Sequence, residues 1–154
     1  MSERPRIHLR PCLGAEEFPH LVAVWRSAVA ATHDFLPPAD VDRIATRLAP
    51  EYFPMVELTV AELDGEIAGF SGLSAGKLDM LFVDAAYRGK GVGAALVAAA
   101  LARYPTLTVD VNEQNPQAVG FYERLGFVKT GRSATDNDGR PFPLLHFVHA
   151  PIEA

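Results

Sequence analysis

Cysteine is almost missing from this chain: Cys12 is the one thiol in 154 residues. An internal disulfide is therefore excluded, which suits a reducing compartment and makes Cys12 a packed thiol rather than a nucleophile. Long apolar runs are missing too, since none reaches the roughly 20 residues that a membrane helix needs. The opening MSERPRIHLRPCLG is polar and broken by Pro5 and Pro11, so it lacks the apolar centre of a secretory signal. Basic residues are not in excess: 14 Lys and Arg face 19 Asp and Glu, for a net charge of -5. That balance argues against nucleic-acid binding, which needs clustered cations to displace counterions, and favours a cationic small molecule or a basic protein surface as partner. No repeat, low-complexity tract or linker interrupts residues 1–154. A single soluble, cytoplasmic domain without a membrane or nucleic-acid partner is expected.

What is present reads as alternating α and β. Ile7 to Arg10 predicts a short first strand, and the spacing of Phe18, Leu21, Val22, Trp25, Ala28 and Val29 predicts an amphipathic helix from Glu16 to Thr32. A second helix is expected from Ala39 to Leu48. Three strands follow at Val56 to Leu63, Glu66 to Leu73 and Lys77 to Val83, with Asp64-Gly65 as a hairpin turn between the first two. The second half predicts a helix from Gly91 to Tyr104 with Val92, Leu96, Ala99 and Ala100 inward, a strand from Leu107 to Asn112, and a helix from Pro116 to Leu125 stopped by Gly126. Strands Phe127 to Arg132 and Phe142 to His149, separated by a polar loop, complete the chain. The strand, helix, strand series from Lys77 to Asn112 implies a parallel crossover beside antiparallel neighbours, hence a mixed α/β sheet.

The densest chemical signal is Arg88-Gly89-Lys90-Gly91-Val92-Gly93-Ala94, placed between a predicted strand and a predicted helix. Glycines let backbone approach an anion closely, and a helix N-terminus supplies unpaired N–H groups at its positive dipole end. The run is not a nucleotide triphosphate loop, because no serine or threonine follows Lys90. It is not a dinucleotide fingerprint either, for its glycine spacing is wrong and no acidic ribose partner stands about 20 residues on. It does fit R/Q-x-x-G-x-G/A at Arg88, Gly91 and Gly93. Downstream, Asn115 to Phe127 fits N-x-x-A-x-x-F-Y-x-x-x-G-F.

On these two motifs, in this order, the chain resembles the GNAT superfamily of acetyl-CoA-dependent N-acyltransferases. The likeness covers nearly the whole chain. A narrower likeness, carried by Trp25 to Leu36 and by Gly131 to Asp136, is to the YjaB-like bacterial members. The resemblance implies a mostly antiparallel sheet flanked by helices with a β-α-β coenzyme-binding core. It implies that Arg88, Gly89, Lys90, Gly91, Val92, Gly93 and Ala94 hold the coenzyme pyrophosphate and that Asn112 and Asn115 belong to the second coenzyme segment, Asn115 bonding the pantetheine arm. It also implies that Leu81, Phe82 and Val83 present backbone N–H groups to the thioester oxygen. Asn115 equally suits a helix cap before Pro116. Tyr122, which could be a core aromatic, is by resemblance the acid that protonates the departing thiolate, a task its phenol suits.

The implied reaction is direct attack of an amine on acetyl-CoA in a ternary complex, with no metal. An alkyl ammonium must first lose a proton. Asp79 is the first candidate base, as the one acidic residue on its strand and on the face expected to carry Leu81 and Val83. His33, in the loop after the first helix, is next by virtue of its pKa; Glu113 and His146 follow, and a water relay stays open. Trp25, Phe35, Tyr52 and the Asp136 to Arg140 loop are expected to shape the acceptor site. The acceptor is expected to be a small, cationic amine and the protein a monomer or homodimer. A coenzyme-binding sensor without turnover is the alternative function.

Overall fold

The computed structural model describes residues 6–32, 36–137 and 139–151. Among these residues seven strands form one sheet: β1 (Ile7–Pro11), β2 (Glu57–Leu63), β3 (Glu66–Ser74), β4 (Lys77–Val83), β5 (Leu107–Asn112), β6 (Val128–Ser133) and β7 (Leu144–His149). Their order is β1-β2-β3-β4-β5-β7-β6, and only the β4–β5 pair is parallel. The helices are α1 (Phe18–Thr32), α2 (Pro38–Arg47), α3 (Val92–Arg103) and α4 (Pro116–Arg124). The expected mixed, mostly antiparallel α/β architecture is present, and no helix among the described residues is long and apolar enough to cross a membrane. Asp64 and Gly65 both take positive φ, as the tight hairpin between β2 and β3 requires.

Alternation along the central strands gives the sheet two apolar faces. Val60, Phe70 and Phe82 point to α1, α2 and the turn that follows α2, in one apolar cluster with Leu21, Val24, Trp25, Ala45 and Leu48. Ala61, Ala68, Leu78, Val109 and Val111 point the other way, toward α3 and α4. Burial of each large side chain contributes about 1.5–3 kcal/mol, so both layers are needed to hold the sheet. Trp25, expected at the acceptor site, is instead a core residue, 4% exposed and edge-on to Phe82. On α3 it is Val97, not Ala99, that joins Val92, Leu96 and Ala100 inside; Ala99 is exposed, because the inward stripe continues one residue after Leu96. A π-helical turn at Leu48–Tyr52 and a 3-10 turn at Phe53–Met55 connect α2 to β2, a stretch the sequence analysis left unassigned beyond Leu48.

Two features of β4 decide where chemistry can occur. Its parallel pairing with β5 stops after Lys77↔Thr108 and Leu78↔Val109, so Met80 to Val83 have no partner strand on the β5 side. Its antiparallel pairing with β3 aligns Leu73 with Leu78 and Gly72 with Met80, leaving Asp79 as an extra, bulged residue.

Candidate active site

The glycine turn lies at the open end of the split between β4 and β5. Gly91 is the N-cap of α3 at φ 86°, a left-handed conformation that costs a residue with a side chain roughly 1–2 kcal/mol. Having no side chain, Gly91 cannot cap, and the first N–H groups of α3 are left for another acceptor. Gly93 is needed for space instead: a Cβ there would stand 3.2 Å from the Phe121 ring. Phe121 belongs to α4, so the glycine turn and the Asn115 to Phe127 motif meet at this contact.

A cavity of about 590 Å³ opens between these elements. Leu81, Phe82 and Val83 line it from β4, Arg88, Gly89, Gly91, Val92, Gly93 and Ala94 from the turn, and Asn115 and Tyr122 from α4 and its cap. Of the residues expected around a coenzyme, Lys90 and Asn112 do not line it: Lys90 is exposed, and the Asn112 side chain accepts from the Gln114 N–H. Gln117, Phe121 and Arg124, also on its wall, escaped the sequence reading although they recur at helical spacing on the Asn115 side of α4. Gln117 accepts from the Arg88 guanidinium, tying the turn to α4. Among the described residues on this wall, Arg88 and Arg124 are the ionisable ones other than tyrosine, and none of these described residues is a carboxylate. Two arginines, a glycine turn and a helix N-terminus fit a polyanionic group such as a pyrophosphate.

Asn115 and Tyr122 are fixed by the start and the inner face of α4. The Asn115 Oδ1 accepts from the Ala118 N–H at 3.2 Å, capping the helix while leaving the amide N–H donors for a ligand. Tyr122 is 6% exposed, with its ring edge-on to Phe121 and Phe127. Burial pushes its phenol well above the ordinary tyrosine range, so the O–H stays protonated and can donate.

A second cavity, of about 540 Å³, lies further back along β4, where Lys77, Leu78, Asp79 and Met80 form one wall. Asp110, Leu144, Asp136, Asn137, Tyr52 and Met55 contribute from β5, β7, the β6–β7 loop and the turns after α2. Tyr52 and two residues of the β6–β7 loop, Asp136 and Asn137, therefore line this cavity, with Tyr52 under the Arg47 guanidinium. That loop is held to α2 by an Arg140–Asp40 pair at 2.7 Å.

The candidate bases separate on inspection. Asp79 does not share a face with Leu81 and Val83, because the bulge interrupts the alternation; it lines the second cavity and accepts from the Ser74 hydroxyl. Glu113 is exposed and lines neither cavity, and Arg132 at 2.6 Å holds its carboxyl below the usual range. His146 sits between two partners, with Nδ1 2.6 Å from Asp110 and Nε2 2.7 Å from the Ser133 hydroxyl. His33 and Phe35 lie outside the described residues.

The chain is similar to known proteins in sequence and in fold. The Acetyltransferase (GNAT) domain family matches residues 29–143. The chain is 46% identical over 135 residues to a peptidyl-lysine N-acetyltransferase YjaB from Salmonella typhimurium, covering 87% of this chain and 92% of that protein. It is 47% identical over 136 residues to the protein of the same name from Escherichia coli, covering 87% and 91%. The solution structure of apo-form YjaB from Escherichia coli superposes with a TM-score of 0.85 at 42% identity, covering 96% of this chain and 99% of that one. With the fold, the glycine turn and these relatives in agreement, the chain belongs to the GNAT acetyltransferase family and is an N-acetyltransferase.

Proposed function

We propose that this protein transfers the acetyl group of acetyl-CoA to the ε-amine of a lysine side chain in a peptide or protein, acting in the cytoplasm. The carrying observation is that consecutive residues of β4 line two cavities of unlike charge: Leu81 to Val83 border a wall with two arginines, and Lys77 to Met80 border a wall with three aspartates and one lysine. The first suits the coenzyme and the second the cationic end of a lysine. The relatives' printed activity, on peptidyl-lysine, supports that acceptor.

Acetyl-CoA, when bound, supplies the activated thioester. Arg88, Arg124 and the N–H groups that open α3 hold its phosphates, and Asn115 orients the chain between phosphate and thioester through its amide donors. The unpaired edge of β4 at Leu81 to Val83 offers N–H groups to the carbonyl oxygen as negative charge develops there. Tyr122 then donates its phenolic proton to the departing sulfur. The amine nitrogen, having first given up one proton to water on the side of the second cavity, forms the new N–C bond as the S–C bond breaks, and the second proton it sheds on becoming an amide returns to the Tyr122 oxygen and restores the phenol.

Calorimetry with acetyl-CoA, followed by thiol release with a panel of amines, tests this reading. Saturable binding and faster release with lysine-containing peptides than with aminoglycosides, polyamines or N-terminal amines is the expected result. Binding without release for any amine would instead favour a coenzyme sensor.

A further inference from the structure

Four polar side chains form a continuous chain across the strands that the helices leave uncovered. Lys77 on β4 places Nζ 2.9 Å from Asp110 Oδ2 on β5. The other carboxylate oxygen of Asp110 meets His146 Nδ1 on β7 at 2.6 Å, and His146 Nε2 meets the Ser133 hydroxyl on β6 at 2.7 Å. Register explains the alignment, because Asp110 lies opposite His146 in the β5–β7 ladder. Asp110 is also the first residue of β5 beyond the last paired position with β4, where the strands begin to part.

We propose that Asp110 receives the acceptor's ammonium and that Lys77 is its resident occupant, an internal stand-in that the acceptor must displace. This rests on the reading of the second cavity as the lysine site. Lys77 and Asp110 both line that cavity, and the group Lys77 presents is chemically the group the acceptor would present. His146, itself steadied by Ser133, takes Oδ1 and so turns Oδ2 toward Lys77; it is a positioning residue.

The exchange is balanced in charge. Burial raises the Asp110 carboxyl, but His146 and Lys77 outweigh it and hold the group below its usual range, so Asp110 stays ionised. One ammonium replaces another on the same oxygen, and no new carboxylate has to be stripped of water. The Lys77 side chain is 37% exposed and can swing outward when displaced.

Steady-state thiol release with acetyl-CoA and a lysine-containing peptide tests the proposal, with calorimetric acetyl-CoA affinity as the check on folding. Lys77→Met is expected to lower the acceptor KM about two- to fivefold at low ionic strength, the scale of a partly exposed ion pair, with the gain shrinking as salt is added. Asp110→Asn is expected to raise the acceptor KM roughly tenfold, as loss of a charge-assisted bond would, and to cancel the effect of Lys77→Met in the double variant. His146→Asn, whose amide N–H can replace Nδ1–H, should retain more acceptor affinity than His146→Leu. If wild type turns over the peptide but Lys77→Met leaves the acceptor KM unchanged or higher, the proposal fails while the function stands. If wild type binds acetyl-CoA and releases no thiol with any lysine peptide, both fail. Should Asp110→Asn lose acetyl-CoA binding through misfolding, Lys77→Met alone decides.

Discussion

The cavity around Gly91 takes most of its wall from one segment of seven residues and a single helix, with β4 and α1 adding to it, whereas the cavity around Asp110 is assembled from four strands, a loop and two helical turns. The first uses backbone N–H groups, glycine geometry and two arginines, features that suit one unvarying ligand. The second presents charged side chains from separate elements: Lys77 and Asp79 from β4, Asp110 from β5 and Asp136 from the β6–β7 loop. A backbone site is written contiguously and survives translation into sequence. A side-chain site exists only once register has aligned residues far apart in the chain, as Lys77, Asp110, Ser133 and His146 are.

This contrast can be broken most severely at Gly91. Gly91→Glu should reduce acetyl-CoA affinity by about 100-fold or more, since it sets a carboxylate against the bound phosphates and strains a left-handed position. Calorimetry on the folded variant reads this, and Gly91→Ala, which carries the strain without the charge, should lose far less. Undiminished affinity in Gly91→Glu would place the phosphates elsewhere.

Next in size is Tyr122→Phe, which keeps the ring packing against Phe121 and Phe127 and removes only the O–H. Its kcat should fall about 100-fold, in the range of lost general-acid catalysis, while calorimetric acetyl-CoA affinity holds. Equal turnover would mean that solvent or another acid protonates the thiolate.

The smallest effect should come from the rim of the second cavity. Arg140→Ala removes the pair with Asp40 that fastens the β6–β7 loop to α2. We expect the acceptor KM to rise about two- to threefold, as suits a partly exposed ion pair, with acetyl-CoA affinity unmoved. A shift in acetyl-CoA affinity instead would mean that the two cavities are not independent.

Legibility in the sequence followed the same division. The strand and helix spans were readable to within a few residues because hydrophobic period and capping residues act locally, as Asn115-Pro116 and Asp64-Gly65 do. The bulge at Asp79 was not readable, since it is a relation between β3 and β4 rather than a property of β4. Its consequence was to move Asp79 off the face assigned to it. Trp25 misled for a related reason: a large aromatic on an amphipathic helix can face a core or a cleft, and only the position of Phe82 decides.

The amino-acid order by itself determined that a glycine turn opens α3, that the capped helix α4 carries Tyr122, and that the fold is mixed α/β. Those features depend on φ preferences, missing side chains and periodicity, all of which act over a few residues. Tertiary structure decided that β4 and β5 part after two paired positions, that the Tyr122 phenol is buried and its pKa raised, and that Lys77 rests on Asp110. These depend on strand register and desolvation, which arise only when distant segments pack.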